Sequence, residues 1–178
     1  MMALFIRRFL GVLALEAATF EDVESDRRAG FQSAAVVLLA CLGGGLAAVG
    51  ATSMTVAAFA TGTLVMLGAW GVWALLITTI GTQLVPEPQT RSTPGELLRT
   101  IGFAAAPGVF FAFASMGAVA PFVFVLVSMW LIAATVLAVR QALDYRSLGR
   151  AVAVCVAGFL VALAVLAAAA ALFARTAN

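Results

Sequence analysis

Apolar residues run along this chain in five long blocks separated by short polar connectors. The blocks lie at about residues 31–50, 55–79, 100–119, 120–139 and 151–173, and none contains a charged side chain. Each approaches or exceeds the ~20 residues that a helix needs to cross ~30 Å of hydrocarbon. A helix satisfies its own backbone polar groups, so runs of this length in lipid are read as helices. The pattern predicts an all-α fold, a polytopic membrane bundle of five transmembrane helices. The connectors 51–54 and 117–121 are too short for anything but tight antiparallel hairpins, and the second turn is expected near Pro121.

Residues 1–30 read differently. Phe5, Ile6, Phe9, Leu10, Val12 and Leu13 recur at helical spacing, with Arg7 and Arg8 set off that stripe. This predicts a short amphipathic helix lying in the headgroup plane, the alternative being a helix packed on the bundle. Two arginines before an apolar run also suggest a secretory signal. The run 9–15 is at the short limit for one and Glu16 follows at once, so cleavage is not expected. Thr19 is expected to cap a second short helix, with Glu21, Asp22 and Glu24 near its positive end and Arg27 and Arg28 at the other. The chain divides into a cytoplasmic helical segment, 1–30, and a membrane domain, 31–178.

Composition agrees with the blocks. The chain is 64% apolar and 10% charged, with a mean hydropathy of +1.13; a soluble domain averages ~45–50% apolar and ~25% charged. A net charge of +2 without a basic stripe argues against nucleic acid as a partner. All ten basic residues are arginine and there is no histidine. Together with the abundant alanine this points to a GC-rich, bacterial genome. It also removes the commonest metal ligand and the usual neutral-pH base, so no metal or cofactor is expected. Cys41 and Cys155 sit inside apolar blocks and read as small buried hydrophobes. Nine of the ten arginines fall in residues 1–30 and the connectors 80–99 and 140–150, against Arg175 alone on the other side. By the positive-inside rule the N-terminus is cytoplasmic and the C-terminus opposite.

Candidate chemistry is sparse. Thr93-Pro94-Gly95-Glu96 forms a capping box for a helix start, which accounts for Glu96 without catalysis. No ionisable residue lies inside a block, as a pump or carrier would usually require. Intramembrane proteolysis would need paired Asp, Ser with a base, or HExxH within the blocks; none is there, and a non-enzymatic protein is expected. Pro107 predicts a kink in the third block. Gly43, Gly44, Gly62, Gly68 and Gly71 mark close helix packing, with Gly43/Ala47 and Gly44/Ala48 at small-xxx-small spacing. Trp70, Trp73 and Trp130 read as packing aromatics. Glu21, Glu24, Arg27, Arg28, Arg99, Arg140, Asp144 and Arg150 form the candidate face for a protein partner or lipid headgroups.

Three segments carry a family likeness. They are Ala18-Thr19-Phe20-Glu21-Asp22-Val23-Glu24, then Gly81-Thr82 with Glu96-Leu97-Leu98-Arg99-Thr100-Ile101-Gly102-Phe103-Ala104 through Pro107, and Val139-Arg140-Gln141-Ala142-Leu143-Asp144-Tyr145 ahead of Arg150-Ala151-Val152. Over roughly residues 18–165 the chain resembles the bacterial branch of the Ypt-interacting-protein (Yip) family. The resemblance implies five spans, a cytosolic N-terminus and a non-enzymatic role through partners or lipids. Eukaryotic members bind Rab-type GTPases and organise Golgi and ER traffic through a longer N-terminal region. With about thirty residues here, a Rab-type GTPase is not expected. The expected function is a membrane scaffold docking a protein partner, a second copy or anionic lipid. The alternatives are an accessory subunit of a larger membrane complex, or a small-solute or lipid carrier with a pocket near Pro107, Trp70 and Trp130.

Overall fold

In a computed structural model the chain is described over residues 2–50, 55–85 and 92–176, residues 165–176 by backbone alone. The connector 51–54, the loop with Pro86, Glu87, Pro88 and Arg91, and the Arg175 side chain lie outside the described residues. The described chain is helical, with no strand: α1 (Met2–Leu13), α2 (Ala17–Ser25), α3 (Ala29–Gly50), α4 (Val56–Thr79), α5 (Pro94–Phe103), α6 (Ala120–Ala142) and α7 (Leu148–Thr176). A π-helical turn, Ile80–Leu84, extends α4, and a 3₁₀ segment, Ala106–Val119, separates α5 from α6. The five apolar blocks fall largely on helix, the third being interrupted at Ala104–Ala105 and at Met116–Gly117. Three helical runs, Ala29–Gly50, Val56–Leu84 and Pro94–Ala142, are long and apolar enough to cross a membrane, as an integral membrane protein requires.

The run Pro94–Ala142 is not straight. α5 starts at the expected capping box: Thr93 Oγ1 accepts from Glu96 N at 3.3 Å while Glu96 Oε2 accepts from Thr93 N at 2.7 Å. After Phe103 the hydrogen bonds shorten from four residues back to three, with Ala104 N to Thr100 O at 3.1 Å followed by Gly108 N to Ala105 O at 2.8 Å. Pro107 stands in the first turn of the new helix, where its missing N–H costs nothing. The expected kink is therefore a change of helix type, completed before the proline. The chain then reverses at Met116–Gly117, not at Pro121. Gly117 has φ +62, a left-handed value that only glycine takes freely. Beyond it α6 runs back along the 3₁₀ segment: Phe110 stacks on Trp130 at 5.5 Å, and Phe111 lies 5.6 Å from Phe124.

α3 lies parallel to the 3₁₀ segment at very short range. A Cβ built on Gly43 would stand 2.8 Å from Val109 O, one on Gly108 2.9 Å from Ala40 Cβ, and one on Gly50 2.5 Å from Ser115 Cα. α4 returns antiparallel, with the Gly62 position 3.4 Å from Gly45 Cα and the Gly44 position 3.3 Å from Met66. Gly68 and Gly71, by contrast, have nothing within 4 Å, so these two do not seat a neighbour within the described chain. α7 crosses α4 at Gly158, where an added Cβ would be 2.9 Å from Ile77. Leu64, Val65, Val72 and Leu75 of α4 and Phe122, Met129 and Ile132 of α6 remain exposed around the outside, where acyl chains would lie.

One buried cluster joins Val12, Phe20 and Val23 of the N-terminal helices to Ile77, Leu97, Ile101, Phe103, Val139, Leu143 and Val154. Phe5, Phe9 and Leu13 also pack against it, so α1 rests on the bundle with one face. Trp70 packs against Val37, Cys41 and Ala105, and Trp73 against the larger cluster. Because Gly43 faces backbone and Gly68 faces open space, the two should respond oppositely to substitution. Gly43→Val should destabilise the detergent-solubilised protein by ~1–3 kcal/mol. Gly68→Ala should stay within ~1 kcal/mol of the parent. Thermal unfolding by tryptophan fluorescence measures both.

Candidate functional site at the polar end

The charged residues gather at the end of the bundle where α3, α5 and α7 begin and α4 and α6 finish. α1 and α2 form an antiparallel helical hairpin that packs against the side of the bundle there, α2 on α5 and α6. Its turn is closed by Leu15 in a left-handed conformation (φ 58), with Leu15 N to Val12 O and Glu16 N to Gly11 O both at 3.0 Å. α2 begins after Glu16, not at Thr19. Thr19 Oγ1 instead donates to Glu16 Oε2 at 3.2 Å, so Glu21, Asp22 and Glu24 lie well along the helix and not in its first turn.

Arg8 locks the hairpin. Its side chain is only 2% exposed. Nε donates to Asp22 Oδ2 and Nη2 to Asp26 Oδ2, each at 2.9 Å, and Nη1 to Gln32 Oε1 at 3.0 Å. One guanidinium thus ties α1 to α2, to the α2–α3 corner and to the first turns of α3. Burial pushes its pKa down, but the hydrogen bonds and charges of the two aspartates outweigh this and raise it. Asp22 is lowered chiefly by its hydrogen bond from Arg8. Asp26 is lowered first by the Arg28 backbone N–H and then by Arg8. The sequence pattern sets Arg7 and Arg8 together off the apolar stripe; the structure separates them, Arg8 being buried and Arg7 72% exposed with its guanidinium 3.3 Å from Asp22.

Beside the hairpin, Glu21, Glu24, Ser25, Ser92, Glu96 and Asp144 line a cleft of about 320 Å³ between α2, the start of α5 and the end of α6. Gln141 Nε2 donates to Glu21 Oε1 at 2.7 Å, and Arg99 Nη2 donates to the Glu24 carbonyl at 2.7 Å. Glu24 is half-buried among like charges. Burial first, then Asp144, Glu96 and Glu21, push its carboxyl up to about 7 against the pull of Arg99. Glu96 moves the other way, lowered chiefly by the Thr93 backbone N–H it accepts.

The structure brings Glu21, Glu24, Asp144 and Arg99 together and adds Glu96. Arg27 and Arg28 are exposed at the α2–α3 corner, and Arg150 is exposed on the first turn of α7. Arg140 turns to its own helix end, where Nε donates to Tyr145 O at 3.4 Å. Tyr145 itself is buried, its hydroxyl 3.2 Å from Gly81 O and 2.8 Å from Val85 O, so it closes the π turn ending α4. Among the described residues no three acidic or thiol side chains stand close enough to hold a metal ion.

Sequence reasoning missed Arg8, Asp22, Asp26, Gln32 and Tyr145 as organising groups. A signal existed for the first three: Arg8 shares a helix face with Phe5 and Val12, and Asp22 and Asp26 are spaced one turn apart. Fold and site together define a helical protein of membrane type, with charges consolidated at one end. No protein-family model, curated protein or solved structure matches the chain.

Two outcomes follow from this geometry. Arg8→Met should destabilise the protein by on the order of 2 kcal/mol, less than a fully enclosed ion pair because both aspartates keep some access to water. Arg7→Met should change stability by less than ~0.5 kcal/mol in the same thermal assay. For Glu24, the folded chain keeps the proton between 4.5 and about 7, where the unfolded chain has lost it. That stabilisation is complete below 4.5 and is lost as pH rises through about 7. Asp22, Asp26 and Glu96 act in more acid solution, below that window. The thermal midpoint should therefore fall between about pH 5 and about pH 8, and Glu24→Gln should flatten the slope.

Proposed function

We propose that the protein is a non-enzymatic scaffold of the Yip-like type in the bacterial cytoplasmic membrane, which holds a basic segment of a partner protein in the cleft at its polar end. The observation that carries this reading is the convergence of Glu21, Glu24, Glu96 and Asp144 on one open cleft. Glu21, Glu96 and Asp144, with Glu24 part-ionised near neutrality, repel a lipid phosphate and attract arginine or lysine, so of the two ligand classes anticipated a basic protein segment is the better fit. The reading takes α3, α4, α5 with its 3₁₀ extension, α6 and α7 as five crossings, supported by the alternating directions of their contacts. The arginine asymmetry supports a cytosolic polar end.

The test is a photo-crosslinking residue at Ser25 or Ser92 in the full chain in cells. The expected result is a discrete protein adduct mapped to a basic segment and lost on Glu21→Lys/Glu24→Lys. Adducts to lipid alone, to a second copy of the chain, or unchanged by the charge reversal would overturn it.

A further inference from the structure

α1 is apolar on two faces. Phe5, Phe9 and Leu13 face the bundle, with Phe5 6.3 Å from the Phe103 ring. Met2, Ile6 and Leu10, each four residues from the last, form a second stripe that is 72%, 49% and 57% exposed. Arg7 and Arg8 are not on either stripe. We infer that α1 is sunk sideways into the phospholipid leaflet at the polar end, with Met2, Ile6 and Leu10 against acyl chains.

Three observations carry this beyond amphipathicity. First, a helix normally leaves its last four carbonyls to water. α1 leaves none: Leu10 O accepts from Ala14 N at 2.9 Å, Gly11 O from Glu16 N and Val12 O from Leu15 N at 3.0 Å, and Leu13 O from Trp130 Nε1 at 3.0 Å. An indole from another helix satisfying the fourth is what a helix end requires where water is scarce. Second, Trp130 precedes Gln141, the partner of Glu21, by eleven residues. That is roughly 16 Å along α6, so the end of α1 reaches well below the polar groups. Leu126, Met129 and Ile132, on the same helix as Trp130, are likewise exposed and apolar. Third, the hairpin has a separate polar side, a groove lined by Arg7, Arg8, Glu16, Thr19 and Asp22. Arg7 and Arg8 both pair with Asp22 there, so the hairpin neutralises these charges internally.

Lipid is a better occupant than a second copy. Three side chains on a helix of twelve residues fall well short of the ~800 Å² per partner of a stable interface. The inference rests on the bundle's lying in a bilayer, not on what fills the acidic cleft, and the two tests fail separately.

The experiment labels Ile6→Cys and Leu10→Cys with a nitroxide, in the full chain carrying Cys41→Ala and Cys155→Ala, reconstituted in phosphatidylcholine–phosphatidylglycerol vesicles. Ile132→Cys is the lipid reference and Arg27→Cys the water reference. Collision with oxygen should exceed collision with a water-soluble nickel chelate at 6 and 10, as at 132 and opposite to 27. Trp130→Phe, which keeps the ring but loses the N–H, should shift the Leu10 label toward the nickel side. Nickel dominance at 6 and 10, or exclusion of both reagents by covering protein, would overturn the inference. If the cysteine-free chain does not fold, Ile6→Trp in the native background decides by quenching: brominated acyl chains should quench the added emission, and quenching by aqueous iodide alone would count against it.

Discussion

Helices surrounded by acyl chains gain little by hiding greasy surface from one another, since lipid is as apolar as leucine. They must instead approach until backbones touch, and every other feature of this bundle accommodates that requirement. Gly43, Gly50 and Gly108 let α3 and the 3₁₀ segment come so close that an added methyl group would overlap backbone or Cβ atoms. The paired helices run parallel, which requires a third element between them in sequence, and α4 fills that role. α6 then doubles back on the 3₁₀ segment through aromatic contacts, Phe110 on Trp130 and Phe111 on Phe124.

Exclusion of charge from the apolar blocks concentrates it at one end, and there the chain meets a different problem. The described segments at that end bring Glu21, Glu24, Glu96, Arg99 and Asp144 into a small volume. Arg8 resolves part of the crowding by drawing Asp22 and Asp26 to a single buried guanidinium. Glu21, Glu24, Glu96 and Asp144 border one opening, and the cost of holding them there appears in Glu24, whose proton affinity climbs toward neutrality. Tyr145 and the capping box at Thr93 close nearby helix ends, so backbone groups add few further unmet demands.

Much of the helical layout was legible because block length and charge exclusion are one-dimensional properties. The capping box at Thr93–Glu96 was readable for the same reason: its partners are three residues apart. What escaped was whatever depends on a neighbour distant in the chain. Gly68 and Gly71 look like packing glycines but meet nothing, whereas Gly50 and Gly108, at less conspicuous positions, are pressed against other helices. The reversal at Gly117 was displaced from the proline that advertised it, because positive φ, not loss of a donor, makes that turn. At the polar end Glu21, Glu24, Arg99 and Asp144 were recognisable as surface charges. Their grouping with Glu96 was not, since it depends on how α2 lies across α5 and α6. Tyr145 is the sole tyrosine, and only the fold reveals that it reaches across to α4.

The 3₁₀ segment changes how sequence length converts to reach. The ten residues from Ala106 to Ser115, ahead of the reversal at Met116 and Gly117, advance ~2.0 Å each and extend roughly 20 Å, a distance that would take about thirteen residues of α-helix. A hydropathy profile counts residues, but a bilayer has a thickness. A chain that winds more tightly across its middle can shorten a crossing by several residues, and any ruler calibrated on the ordinary helix will underrate such a stretch.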